Sequence, residues 1–427
     1  MSLQVAVIGA GLGGLAAAAA LYARGLDVTV YERGGALREQ GVGMHLGPNG
    51  TRLLERLGLG PRLAELAVRP DALEVRAFHN GATVAVQEMG EAWERQFGAP
   101  YLTVHRGDLH RMLAGLVPGE RVRTGKELVR HEEGPDGVLL EFADGTTGRA
   151  DVLVGADGVH SAVRRAVAGA DAPVYSGNSA LRGLVDAADV PSLDPGRMYM
   201  FAGPESRVLC YPVGAGRQFT YVVVTPSEEG DAESWTSAGD RADLDAVLTG
   251  WAPEVRELAG AAGEVRRWAL YDRAPLERWS TSRVTLLGDA AHPMLPHHGQ
   301  GANQAVEDGV ALALCLARAD EDARGVAEAL ERYESLRRPH TTRVQLGSRT
   351  GRPAPGAGGR PGGVKEAAAD VGWILGHDVE AAFEEAFPTR PDTPLQAASG
   401  SSLQAASGSS LQAASDSADT LLSGAAA

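Results

Sequence analysis

Cysteine is nearly missing from this chain: among 427 residues only Cys210 and Cys315 carry a thiol. Two thiols so far apart build no disulfide framework, and no CxxC pair is present to bind zinc or run thiol redox chemistry. Lysine is as scarce, occurring only at Lys126 and Lys365, so arginine carries almost all of the positive charge. We read this as a bias of nucleotide composition, and it nearly excludes chemistry that depends on a lysine. Positive charge is itself short, with 40 basic residues against 55 acidic ones and a formal net charge of -15. Nucleic acid and anionic membrane are polyanions and are not expected as partners, whereas a small-molecule partner is compatible. Long apolar runs are absent too: the run from Leu12 to Leu21 falls far short of the roughly 20 residues that span a bilayer. Met1 leads almost directly into an apolar strand with no signal-peptide pattern. The expectation is a soluble cytoplasmic protein, monomer or homodimer, long enough for two domains of about 100 to 200 residues each.

Glycine is abundant instead, and its placement carries chemistry. Val5 to Ile8 read as a short buried strand, after which Gly9, Gly11 and Gly14 fit the GxGxxG spacing ahead of an Ala-rich helix starting near Leu12. Such a turn brings backbone close to a pyrophosphate, whose charge is offset by helix N-terminal amides and dipole. Gly14, lacking a side chain, lets helix and strand pack tightly. A second strand, Val28 to Tyr31, ends at Glu32, 18 residues past Gly14, where a carboxylate can accept hydrogen bonds from a ribose 2'-hydroxyl. Arg33 and Arg38 follow as candidate phosphate partners. A plain Gly/Ala-rich turn is the competing reading.

Farther along, GVGMHLGPNG precedes an amphipathic helix around Arg52 to Leu57, and alternating apolar residues at 73–77 and 84–86 form a hairpin turning at Asn80-Gly81. Leu102 to Val104 is a short strand leading to Arg106, with a helix from Gly107 to Leu116. Strands over 127–154 return to a GADG turn at 155–158 and a helix at Ser161 to Val167. Residues 173–270 read mostly as strands, interrupted by helical stretches near 241–260. Val284 to Leu287 is another buried strand, and helices fill 301–318 and 326–348. Residues 351–363 are a Pro/Gly linker, and 364–387 an amphipathic helical pair carrying Trp373 and Phe383. Beyond Pro391 the octapeptide LQAASGSS occurs twice, with a degenerate third copy. Its small polar residues bury too little apolar surface to offset their ordering entropy, so 391–427 is expected to be disordered.

GAGLGG, GVGMHLGPN, YLTVHRGDLH, VLVGADGVHSAVR and LLGDAAHPMLPHHGQGANQAVEDG, spread over most of residues 1–350, together resemble the single-component (group A) flavoprotein aromatic hydroxylases. Within that group the likeness is nearest to salicylate hydroxylases and 6-hydroxynicotinate 3-monooxygenases. The resemblance implies an α/β fold of the p-hydroxybenzoate hydroxylase type. A discontinuous Rossmann-like FAD-binding domain (1–72, 98–172 and 267–350) would carry an inserted β-sheet substrate domain (73–97 and 173–266), with a C-terminal helical segment over 351–390. It also implies noncovalent FAD, NAD(P)H as co-substrate, and O2 and a small aromatic molecule as partners. The cofactor would form a C4a-hydroperoxide that transfers oxygen to an electron-rich ring, while the protein orients the substrate and excludes water.

On this resemblance Asp157 and Gly158 contact FAD and NAD(P)H, Asp289 binds the ribityl chain, and Arg106 contacts FAD. For both aspartates the competing reading is a helix cap, and for Arg106 a surface salt bridge. His45 is the candidate base, because deprotonating a phenol speeds electrophilic hydroxylation and a group with pKa near 7 suits that work. Gly41 and Gly43 would let its strand pass close to the isoalloxazine; a packing or backbone-bonding histidine is the alternative. Pro296, His297 and His298 would face the flavin ring, and Gly299, Gly301, Ala302 and Asn303 would bring amides to its pyrimidine edge. Tyr211 and Tyr221, both in predicted strands, could orient the substrate or simply be core. Metal binding by His292, His297 and His298 is set aside, since neighbouring loop histidines seldom converge on one ion and no HExxH or CxxC accompanies them. Flavin halogenases rely on an early lysine, and none precedes Lys126. Two other readings stay open: epoxidation or oxidative rearrangement of a polycyclic or prenylated molecule, and a non-enzymatic FAD-fold binding protein.

Overall fold

The apolar strand Gln4–Ile8 lies at the centre of a five-stranded parallel sheet, flanked by Val152–Gly155 and Asp27–Glu32, with Val284–Leu286 and Val122–Thr124 outside them. In this computed structural model the described residues are 2–37, 41–169, 171–227, 237–349 and 371–388. A sheet of parallel strands presents its carboxyl ends along one edge, the usual ligand crevice of open α/β folds. Gly9, Glu32, Gly155 and Leu287 all sit at or just past those ends. The Ala-rich helix Leu12–Tyr22 is buried because it packs on the long helix Gly301–Ala317. At their closest approach a Cβ on Gly309 would lie 2.7 Å from the Cα of Ala17.

A second, eight-stranded sheet is antiparallel except where Arg197–Ala202 runs parallel to Ala72–Ala77. It contains the hairpin Ala72–Ala77/Thr83–Glu88, with Gly81 in the left-handed region at φ 70°. Its strands come from 72–88 and 174–272, so it extends past residue 266 to include Arg266–Asp272. Side chains alternate between its faces. One face, including Tyr199, Phe201, Cys210, Phe219 and Tyr221, forms a core under the helices Arg241–Val247 and Pro253–Ala261. Tyr211, Thr220, Arg182 and Leu184 lie on the other, as the register pairs Tyr211 with Thr220 and Leu184 with Thr220. The short ribbon Gly43–Leu46/Leu102–His105 lies against this second face, where Gly43 N–H donates to Thr220 Oγ1 at 3.2 Å.

The expected helix at Arg52 to Leu57 is instead a helix from Pro48 to Leu54 that continues through a kink to Gly60–Leu66. Proline at the first turn starts it early, and Gly58, at φ 92°, breaks it. Beyond Arg349 the described chain resumes as a short helix at 371–375 and the helix Val379–Ala386, which holds the buried Phe383. Arg52 and Arg56 pair with Asp378, and Arg24 and Arg56 with Glu380. Arg38, residues 351–363 and the repeat at 391–427 lie outside the described residues.

Candidate active site

Each glycine of the first turn is required for a different reason. Gly9 has φ 103°, and a Cβ there would lie 2.4 Å from the Ala156 carbonyl oxygen, so the first turn and the GADG turn touch. At Gly14 a Cβ would fall 2.0 Å from the Gly9 oxygen, the close helix–strand packing expected of it. Around Gly11 no atom of the described residues lies within 4 Å of such an atom. That open space adjoins the N-terminus of Leu12–Tyr22, which has no side-chain cap and so leaves its first amides to an anion. Glu32 accepts from Ala10 N–H at 2.9 Å and Gly34 N–H at 2.8 Å, with lone pairs left for a ribose hydroxyl. Arg33 is exposed beside it.

The two aspartates differ. Asp157 accepts from Ala162 N–H at 2.7 Å and from the Ser161 hydroxyl, which makes it the N-terminal anchor of Ala162–Ala168, next to Gly158 at φ 78°. The N-cap of that helix is Ser161, whose hydroxyl accepts from Arg164 N–H at 2.8 Å, and Asp157 supports it from behind. Asp289 caps nothing: among the described residues no group donates a hydrogen bond to it, and its Oδ1 would lie 3.9 Å from a Cβ on Gly301, the first residue of the uncapped helix Gly301–Ala317. Burial raises its pKa, and His292 and Arg106 act against that rise. The Arg106 side chain covers Gly41, where a Cβ would meet its own at 2.6 Å. A partly buried, unbonded carboxylate with open space beside it is what a chain of polyol hydroxyls needs. Arg164 ties the pieces together, donating to Ala290 O at 3.0 Å and Ala291 O at 3.1 Å.

Across the crevice, Gly299 at φ 63° follows the turn Pro296–His298, and a Cβ on it would lie 3.4 Å from that of His45. Asn303 locks this contact through its side chain as well as its place in the helix. Its Nδ2 donates to His45 O at 3.1 Å and Gly299 O at 3.0 Å, and its Oδ1 accepts from Gly47 N–H at 3.0 Å. Gly301 and Ala302 open the helix. His45 Nδ1 lies 2.5 Å from the Tyr101 hydroxyl, and its ring meets Tyr211 edge-on at 4.2 Å between centroids. Pro296 is exposed at the rim, and His297 Nδ1 accepts from the Arg207 guanidinium.

Four expectations need correction. Tyr221 is on the wrong face of the sheet: it is fully buried in the core under the helices, away from His45. His298 turns toward the long helix Ala323–Arg349, where Gly347 leaves room for its ring. Gly43 gives space to Thr220, Tyr211 and Val213 of the sheet, and Gly41 to Arg106, so their small size serves protein packing. The pKa of His45 is not near 7; burial pulls it down to about 4.

The sequence profile of the FAD binding domain family matches residues 2–347. The chain belongs to that family. It is an NAD(P)H-dependent FAD monooxygenase, and the open space at Gly11 and the unbonded Asp289 fit that cofactor. The monooxygenase is 46% identical over 352 residues to the 3-amino-4-hydroxybenzoate 2-monooxygenase of Streptomyces cremeus, covering 81% of this chain and 86% of the relative. It is 37% identical over 347 residues to the 6-hydroxynicotinate 3-monooxygenase of Pseudomonas fluorescens, covering 81% and 90%. Among solved structures, a salicylate hydroxylase substrate complex superposes with a TM-score of 0.77 at 29% identity, covering 91% of this chain and 99% of that one. The resemblance in the motifs, the p-hydroxybenzoate hydroxylase-like fold and the flavin cofactor are all borne out.

Several residues of the site escaped the sequence reading. Tyr101 stood inside the quoted YLTVHRGDLH string, and its position one strand away from His45 became visible only through the register His45–Thr103. Glu307 and Asp308 are fully buried with Arg337, which donates to both. Asp308 also accepts from Gly288 N–H at 3.0 Å and holds His292 Nε2 at 2.5 Å, while Glu307 accepts from Asn49 at 2.6 Å. The network fixes the GDAAH turn and the start of Pro48–Leu54 to one helix. Removing one partner of such a buried set costs about 3–5 kcal/mol. Two adjacent acids within the apolar run VEDGVALAL were the available signal.

Proposed function

We propose that this monooxygenase hydroxylates a small phenolic ring held against His45, Tyr101 and Tyr211. The observation that carries the reading is the contact of His45 with both tyrosines directly behind Gly299. Bound FAD supplies hydride acceptance from NAD(P)H and the reaction with O2. The chain's own residues do the rest. Burial pushes the Tyr101 and Tyr211 phenols up, so both stay protonated and serve as hydrogen-bonding groups. Because a hydroxyl donates and accepts, Tyr101 accommodates either tautomer of His45. With Nδ1–H donated to Tyr101, Nε2 is left free to take the phenolic proton. A pKa of about 4 makes His45 a weak base alone, but an anion bound beside it raises that value and recovers the proton affinity that burial removes. His297, drawn down to about 4 by burial and by Arg207, remains neutral and does not compete.

The relatives' named substrates, 3-amino-4-hydroxybenzoate and 6-hydroxynicotinate, share a ring hydroxyl, which is the feature carried over here. A niche lined by a histidine and two tyrosine hydroxyls suits a polar ring better than an unactivated polycyclic or prenylated one. The test is NAD(P)H oxidation with a panel of hydroxybenzoates, salicylates and hydroxynicotinates, scored for hydroxylated product against hydrogen peroxide. Stoichiometric product from at least one member is expected; peroxide alone from every member overturns the reading.

A further inference from the structure

Among the described residues Arg182 is a cation with no counter-charge. It lies in the strand Val174–Asp186, flanked in register by Val222 on one side and Arg266 on the other, on the sheet face that carries Tyr211. Its guanidinium carbon sits 3.0 Å from the Trp268 ring centroid. Its Nε is sealed from solvent and has no hydrogen-bond partner among the described residues. The charged groups that bear on it, Arg106 and Arg266, are both positive, and the remaining neighbour is the neutral phenol of Tyr211. Among the described residues no carboxylate reaches it. Burial and the surrounding positive charge lower its pKa to about 9, far from the usual guanidinium range.

Folding does not place an unpaired charge in such a setting without loss, because desolvating an ion is expensive unless a partner offsets it. Stacking on Trp268 recovers part of that loss and fixes the plane of the fork. It leaves the N–H edge to bind, and a planar fork with donors held in place matches a carboxylate. Arg207 is a poor substitute, since its guanidinium already donates to His297. Arg106 faces Asp289 on the cofactor side.

We infer that Arg182 binds a carboxylate on the aromatic substrate and so selects arenecarboxylates over neutral phenols. The inference rests on the aromatic substrate proposed above and adds an anionic substituent to it. With the carboxylate on Arg182, the ring lies next to Tyr211 and within the reach of its His45 partner, which leaves the phenolic oxygen for the base.

The experiment is a binding titration of FAD-loaded protein, read from the visible flavin spectrum, with 3-amino-4-hydroxybenzoate and with 2-aminophenol. These two ligands differ only in the carboxylate. R182Q should weaken the carboxylate ligand by about 10- to 100-fold, the equivalent of one lost charged hydrogen-bonding group, and change 2-aminophenol less than about threefold. R182K, which keeps the charge but not the fork, should recover part of the difference. Equal weakening of both ligands, unchanged binding of the carboxylate, or a wild type that binds neither ligand overturns the inference. Loss of FAD from both variants overturns it as well and assigns the partner anion to the flavin. A wild type that binds the carboxylate through Arg182 yet yields only peroxide leaves this inference standing and removes the proposed hydroxylation.

Discussion

Replacing His45 with alanine is expected to leave FAD bound and to slow product formation by about 10² to 10⁴, the usual contribution of a positioned acid–base group. FAD content should hold because the His45 side chain packs on Tyr101 and Tyr211 and, among the described residues, makes no hydrogen bond or ring contact with the Gly9–Gly14 turn, Glu32, Asp157 or Asp289. The defect should shrink as pH rises, because the substrate phenol then ionises unaided. The sign on the acid side follows from the depressed pKa of about 4. The free enzyme keeps His45 neutral down to that value, so wild-type activity should survive mild acid and fall only as the histidine takes up a proton. Rates measured from pH 4 to 10 for wild type and His45→Ala check this. Tyr221→Phe is the matching control. That hydroxyl is buried in the helix-covered core with no hydrogen-bond partner among the described residues, so its loss should change neither rate nor pH profile. A pH-independent defect in His45→Ala would return His45 to a packing role.

The second large effect separates two glycines three residues apart. Gly14→Ala places a Cβ 2.0 Å from the Gly9 carbonyl oxygen, where backbone on both sides must move. Overpacking of this kind costs about 1–3 kcal/mol and occasionally more, so the apoprotein itself should melt earlier and hold little FAD. Gly11→Ala meets no atom of the described residues within 4 Å. Its apoprotein should melt like wild type, yet FAD affinity should fall by about 10- to 100-fold, because the new methyl occupies the space the pyrophosphate needs. Thermal unfolding of the apoproteins together with FAD titration distinguishes the two. Equal behaviour of the two variants would remove the distinction between packing glycine and ligand-facing glycine.

The nucleotide half of the site was legible because its contacts are made by backbone at fixed sequence spacing. Gly9, Gly14 and Glu32 could be placed from the strand–turn–helix–strand order alone, and the observed approaches follow it. The substrate half was less so, because in a sheet a single step of register decides which face a side chain takes. Tyr211 and Tyr221 are equally apolar and equally strand-like, yet pairing Tyr211 with Thr220 sends Tyr221 into the core and Tyr211 to His45. His298 could not be separated from its neighbour His297 without knowing that Gly347 lies opposite it. Asp157 looked like Asp289 in sequence; whether each caps a helix depended on how the chain turns after it. Arg182 carried no local signal, since an arginine within a strand usually faces solvent, and only the long strand's central position puts its head beside Tyr211.

Flavin-dependent insertion of an oxygen atom into a phenolic ring is the central claim, and turnover of FAD-loaded enzyme under 18O2 with NAD(P)H and a hydroxylated arenecarboxylate tests it most directly. The account predicts product heavier by one 18O atom, formed in a one-to-one ratio with the NAD(P)H consumed. Product whose new oxygen comes from water, or NAD(P)H consumed with peroxide as the sole oxygen product, would contradict it.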